Sequence, residues 1–111
     1  MSSVSELTTE DFDAEVLHSG IPVLVDFHAV WCGPCKAVAP VLEDLAREFE
    51  GEVRIVKVDV DAEPELPKTY GVQGIPTLIL FSKGKEVERH AGGLTRGRLS
   101  AIFERHLENA E

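Results

Sequence analysis

Cysteine is scarce in this chain. There are two in 111 residues, both within Trp31-Cys32-Gly33-Pro34-Cys35-Lys36. A chain of this length buries a core of its own, so the pair is not needed as a structural staple. Nor do two cysteines make a structural zinc site, which takes four ligands, usually from two paired motifs. No second cysteine pair exists, and His18, His28, His90 and His106 stand singly along the sequence. Basic residues are also few, 11 against 20 acidic ones, for a net charge of −9. That balance aids solubility and argues against a basic face for nucleic acid. Long apolar runs are missing too: a stretch such as Leu78-Ile79-Leu80-Phe81 is far too short to cross a membrane. Met1 to Glu6 has neither a basic start nor an apolar run, so no signal peptide is expected. These absences predict a cytoplasmic protein, where a Cys-x-x-Cys pair reads as redox or metal chemistry rather than a structural bridge.

What is present reads as a single domain over residues 1–111, with no repeat, linker or low-complexity tract. Thr8 or Thr9 caps a first helix with Phe12, Val16 and Leu17 on its apolar face. Pro22 to His28 is a near-continuous apolar run and predicts a buried strand. From Pro34 to about Phe49, apolar residues at Val38, Val41, Leu42, Leu45 and Phe49 recur at helical spacing, and Gly51 ends the helix. Pro40 inside it predicts a kink. Val53 to Val60 is β-rich, and a short irregular or helical stretch follows through Tyr70 and Gly71. Thr77 to Phe81 and Glu86 to Ala91 then form a hairpin about Ser82-Lys83-Gly84-Lys85, at a sheet edge. Thr95 opens a last helix with Leu99, Ile102, Phe103 and Leu107 on one face. The order predicts an α/β fold, a mixed sheet covered by helices on both faces.

The cysteine pair sits where a strand ends and a helix begins. Unpaired N–H groups and the positive end of the helix dipole favour thiolate there, and thiolate is the nucleophile in disulfide exchange. Cys32, nearer the helix start and expected to be the more exposed, is the predicted nucleophile. Cys35, one turn deeper, is the predicted resolving thiol. Gly33 leaves room for a partner's backbone, and Pro34 stiffens the loop at an early helix position where its missing N–H costs little. Asp26 lies within an apolar strand, where burial raises a carboxyl pKa toward neutrality. Lys57, on the neighbouring strand, is its expected charge partner.

Asp26, Trp31-Cys32-Gly33-Pro34-Cys35-Lys36, Pro40, Lys57, Gly74-Ile75-Pro76-Thr77, Gly84 and Gly92 together resemble the thioredoxin family in type, order and spacing, over nearly the whole chain. The resemblance implies a thioredoxin fold, a central mixed sheet of about five strands flanked by about four helices. It implies a protein-disulfide reductase that maintains redox homeostasis and donates electrons to reductive enzymes. Asp26 would assist deprotonation of Cys35. Ile75-Pro76 would be a cis-proline loop facing the dithiol, where an extended substrate pairs with the Ile75 backbone. Trp31, Gly33, Pro34, Ile75, Pro76 and Gly92, with Gly93, would form the substrate-docking surface. No cofactor would be bound, electrons arriving from NADPH through thioredoxin reductase. Clients would be disulfide-bearing proteins such as ribonucleotide reductase, peroxiredoxins and methionine sulfoxide reductases, met by a monomer with no nucleic-acid or membrane partner.

One departure stands out. The family usually carries an aromatic residue, often Trp, where this chain has His28. A histidine beside the dithiol, hydrogen-bonded to an acid such as Asp61, would add pH dependence; the plainer reading is a smaller ring filling the same space. Gly33-Pro34 resembles the reducing members, whereas isomerases and oxidases usually have His before the second cysteine. An isomerase or oxidase of the same fold and a redox-independent binding module remain the rival readings. Asp59-Val60-Asp61-Ala62-Glu63 begins like a calcium loop but has Pro64 and Tyr70 where glycine and glutamate belong. Gly92-Gly93-Leu94-Thr95 lacks the spacing of a phosphate loop.

Overall fold

A strand that is apolar on both faces has to lie inside a sheet covered on both sides. In the computed structural model, which describes residues 2–92 and 94–108, the run Val23–His28 does so. The elements follow in the order β1 (Ser5–Glu6), α1 (Thr9–Phe12) continued by a π-helical turn at Asp13–Leu17, β2 (Val23–His28), α2 (Gly33–Glu48), β3 (Arg54–Asp59), α3 (Glu65–Thr69), β4 (Thr77–Ser82), β5 (Lys85–Ala91) and α4 (Arg96–Glu108). The five strands lie side by side as β1-β3-β2-β4-β5, with β2 in the middle, parallel to β3 and antiparallel to β4. Gly93, expected on the docking surface, lies outside the described residues.

The period of two along each strand sorts side chains into two cores. Leu24, Ile55, Leu78 and Leu80 face α2 and α4, meeting Val38, Leu42, Leu45, Leu99 and Phe103. Val23, Val25, Phe27, Val56, Val58, Ile79 and Phe81 face the other way, toward Phe12, Val16 and Leu66. Aromatic rings close both layers. Phe49 meets Phe103 edge-on at 5.2 Å, and Tyr70 and Phe81 pack together at 5.3 Å beside Phe12.

Several local expectations need adjusting. The two-residue strand β1 was not anticipated; it carries no apolar alternation and exists because Ser5 and Glu6 pair with Val56 and Lys57 of β3. Thr8 is the cap residue of α1, but its hydroxyl donates to the Asp11 carboxylate at 3.0 Å instead of accepting a backbone N–H. The free end of α1 is held by Glu63, which accepts from the Thr9 N–H at 2.8 Å. Helix α2 begins at Gly33 and runs on as one helix through Pro40, which is exposed. The β4–β5 turn places Lys83 and Gly84 at φ of 55° and 80°, the left-handed pair that suits a tight hairpin.

The polar tie between α4 and the sheet edge also escaped the sequence. Glu88 on β5 meets His90 at 3.1 Å and His106 of α4 at 3.0 Å, and pairs with Arg105 as well. His106 foremost, with Arg105 and His90, holds the Glu88 carboxyl down to about 2 despite partial burial. A carboxyl depressed on folding adds stability above its unfolded pKa, near 4.5, and loses it as pH falls toward 2. Glu88→Gln is therefore expected to lower unfolding stability at pH 7 by about 1–2 kcal/mol, allowing for solvent screening. It should also flatten the acid limb of the stability curve. Chemical denaturation between pH 2 and 7 checks this, and an unchanged acid limb would remove Glu88 from the account.

Candidate active site

Strand β2 delivers the chain to the edge of the sheet, and α2 carries it back underneath. At the junction Cys32 is the N-cap of α2, extended at φ −85°, ψ 111°, and its Sγ accepts the Cys35 N–H at 3.2 Å. Pro34 occupies the first turn, where no intrahelical donor is needed. Cys32 and Cys35 are joined as a disulfide, with Cα atoms 5.3 Å apart. Each residue is 4% exposed, so greater exposure of Cys32 is not found in this oxidised form. Helix position separates the two instead. Cys32 stands at the dipole end, and Cys35 turns inward to line a cleft.

That cleft, about 290 Å³, is lined by Asp26, His28, Ala29, Val30, Cys35, Lys36, Ala39 and Lys57. Asp26 and Lys57 face each other across the parallel β2–β3 pair. Both project to the α2 side, since they share the parity of Leu24 and Ile55. Asp26 is 4% exposed and its Oδ1 has no hydrogen-bond partner. Burial pushes its pKa up from 3.8 to about 7, and Lys57 opposes this through space.

The opposite side of the disulfide is apolar. Ile75 and Val60 pack on the Ala29, Cys32 and Cys35 cluster. The Ile75–Pro76 bond is cis. The Pro76 carbonyl accepts the Gly92 N–H at 2.7 Å, which brings the end of β5 to the loop. Gly92 has φ +84°, a conformation glycine takes without strain. Trp31, 66% exposed, lines a groove of about 540 Å³ with Val60, Pro64, Pro67, Val72 and Ile75. A Cβ added at Gly33 would meet nothing within 4 Å, so the fold itself makes no use of the missing side chain.

The sequence-predicted residues thus fall on two sides of one disulfide: Asp26 and Lys57 toward Cys35, and Trp31, Ile75, Pro76 and Gly92 around the apolar mouth. One proposed contact is absent. Asp61 accepts the Trp31 indole N–H at 2.7 Å rather than pairing with His28. His28 faces Glu6, its Nε2 3.9 Å from Oε2, because β1 adds Glu6 to the same face of the sheet. The contact of Asp61 with Trp31 and the α3 side of the groove were not expected from the sequence. The available signal was topological, since β2 and β3 are parallel and the loops after them leave the same sheet end.

A family profile for thioredoxin matches residues 3–105. The chain belongs to the thioredoxin family. It is 44% identical to thioredoxin 1 of Nostoc sp. over 107 residues, covering 96% of this chain and all of that relative. To the thioredoxin of Haemophilus influenzae it is 45% identical over the same shares. To that of Acidithiobacillus ferridurans it is 43% identical, over 91% of this chain and 94% of the relative. Thioredoxins are thiol–disulfide oxidoreductases, and the chain carries the redox disulfide of that activity at Cys32 and Cys35. Thioredoxin chemistry needs no bound cofactor; it implies a reductase that supplies electrons and disulfide-bearing clients that take them. Among the described residues, no group of three or more His, Cys, Asp or Glu is set to hold a metal. None of the helices there is long and apolar enough to cross a membrane.

The Asp26 carboxyl has a thermodynamic signature. The unfolded chain ionises it near 3.8, whereas the folded chain holds the proton to about 7. Stability therefore falls as pH rises through that window, and the full penalty is present above it, up to about 4 kcal/mol. Asp26→Asn is expected to be more stable than the parent at pH 8 and close to it at pH 4. Denaturant titrations at the two pH values check this; equal stabilities at pH 8 would mean the carboxylate is not desolvated.

Proposed function

We propose that the chain is a single-domain, general protein-disulfide reductase of the cytoplasm, with Cys32 as nucleophile and Cys35 as resolving thiol. The observation that carries the assignment is the asymmetry of the disulfide: only Cys35 lines the cleft holding Asp26, while Cys32 caps α2. In the reduced protein the N-cap position favours the Cys32 thiolate, which attacks a client disulfide and expels the first client thiolate. Asp26, with a pKa near 7, accepts the Cys35 proton at neutral pH. The Cys35 thiolate then attacks Cys32 Sγ, the Cys32–Cys35 bond forms, and the second client sulfur leaves as thiolate. Two electrons have passed to the client. Lys57 modulates the ionisation of Asp26.

The apolar mouth supplies docking. An extended client segment lies along the Trp31 groove and pairs with the Ile75 backbone beside Pro76, with Gly33, Pro34 and Gly92 leaving room for its main chain. No cofactor is bound. Electrons come from NADPH through a flavin-containing thioredoxin reductase. The clients are reductive enzymes such as ribonucleotide reductase, peroxiredoxins and methionine sulfoxide reductases, met by a monomer that binds neither nucleic acid nor membranes. Gly33-Pro34 supports this reading over an isomerase or oxidase.

A redox titration followed by Trp31 fluorescence tests the class. A two-electron midpoint near roughly −270 mV, the value characteristic of the family, is expected; one at about −180 to −120 mV would make the protein an isomerase or oxidant. The roles are tested by kinetics. Asp26→Asn is expected to slow resolution of the mixed disulfide at least about tenfold while leaving its formation nearly unchanged. Equal slowing of both steps would sink the role given to Asp26.

A further inference from the structure

The cleft beside Cys35 contains a second titratable group that the mechanism above does not use. His28 stands two residues after Asp26 on β2, so both side chains leave the same face of the strand. Their Cα atoms are about 7 Å apart along the strand, so a proton passed from one side chain to the other has to travel through water in the cleft. Both line the cleft, and each has a buried polar atom without a hydrogen bond, Oδ1 of Asp26 and Nε2 of His28. No other buried side-chain atom among the described residues is left in that state.

The charged groups around His28 form a ranked path outward. Asp26, on its own strand, is 4% exposed. The His28 side chain is 15% exposed, and the Glu6 carboxylate on β1, 3.9 Å from its Nε2, is 52% exposed. Lys57 and Asp59 face it from β3, paired in register with Asp26 and His28. Lys36 and Cys35 close the cleft from α2. Of these groups, the lysines carry only donor hydrogens, while a neutral imidazole accepts at one nitrogen and donates from the other. Burial keeps His28 toward its neutral form, the effect outweighing the pull of Glu6.

We propose that His28 is the outward step of a proton path, taking from Asp26 the proton that Asp26 removed from Cys35 and releasing it on the Glu6 side to solvent. The inference rests on the reductase reading above. The steps balance. Cys35 S–H gives its proton to Asp26 as the Cys32–Cys35 bond forms and the bond from Cys32 to the client sulfur breaks, that sulfur keeping the electron pair. The proton moves from Asp26 through water to the imidazole and then to bulk water, which protonates the client thiolate. When the disulfide is reduced again, the same path runs inward. His28 acts through Asp26 and does not touch sulfur, so it is a positioning residue for proton traffic.

The test uses the reduced full chain and an aromatic disulfide such as Ellman's reagent, which releases one coloured thiolate at each step. Rapid mixing separates attack by Cys32 from displacement by Cys35. His28→Gln, which keeps a polar tip but cannot change its charge, and His28→Ala, which leaves room for a free ring, are each expected to slow the second step about tenfold. That is below the range of a direct general base, because water competes for the proton. Added imidazole is expected to restore the second step in His28→Ala in proportion to its concentration, leaving the first step unchanged. A second step in His28→Gln at the parent rate would overturn the proposal, as would slowing in His28→Ala without imidazole rescue. If His28→Ala does not fold, the rate of His28→Gln decides. Failure of the underlying reading looks different: Cys35→Ser would release the second thiolate as fast as the parent does.

Discussion

The central placement of β2 is the constraint on which the rest depends. Its side chains need apolar cover on both faces, which forces strands on either side of it and helices above and below. Once β2 is central, its C-terminal end opens at the middle of the sheet edge rather than at a corner. The loop leaving it has α2 packed beneath and the β3–α3 and α3–β4 loops beside it. The dithiol sits where these pieces meet, its immediate packing supplied by Ala29, Val60 and Ile75.

Asp26 is the fully buried polar residue of β2. It takes a place on the α2 face beside Leu24 and Leu78, and it does so without a hydrogen bond to Oδ1. The cost falls on the charged form. The same low-dielectric surroundings that destabilise the folded protein above neutral pH bring the carboxyl to about 7, where it exchanges a proton readily. Lys57 moderates the effect from across the strand pair without pairing closely enough to cancel it.

The disulfide therefore divides two kinds of surface. Toward Cys35 lies a cleft that holds carboxyl, imidazole and ammonium groups. Beside Cys32 lies an apolar groove whose exposed indole is held in place by Asp61. In the proposed mechanism, acid–base work and client contact fall to separate residues. His28 belongs to the polar side.

Much of this was legible in the linear sequence. The helical spacing from Val38 to Phe49, the apolar run of β2 and the hairpin about Gly84 depend on neighbours a few residues apart, and each appeared near its expected bounds. That Cys32 and Cys35 form a redox pair at a helix start was legible for the same reason, since spacing and helix start are local properties. Asp26 stood out as an acid inside an apolar strand. What only the tertiary structure decided was the choice of partners between distant segments. Strand β1 exists through its register with β3 rather than through any pattern of its own. Asp61 meets Trp31 and not His28, His28 meets Glu6, and Glu88 gathers His90 and His106. Periodicity along the chain tells which face a side chain leaves from. Which group it finds there depends on strand register and on packing to within a few ångströms, and both are set only when the whole sheet is assembled.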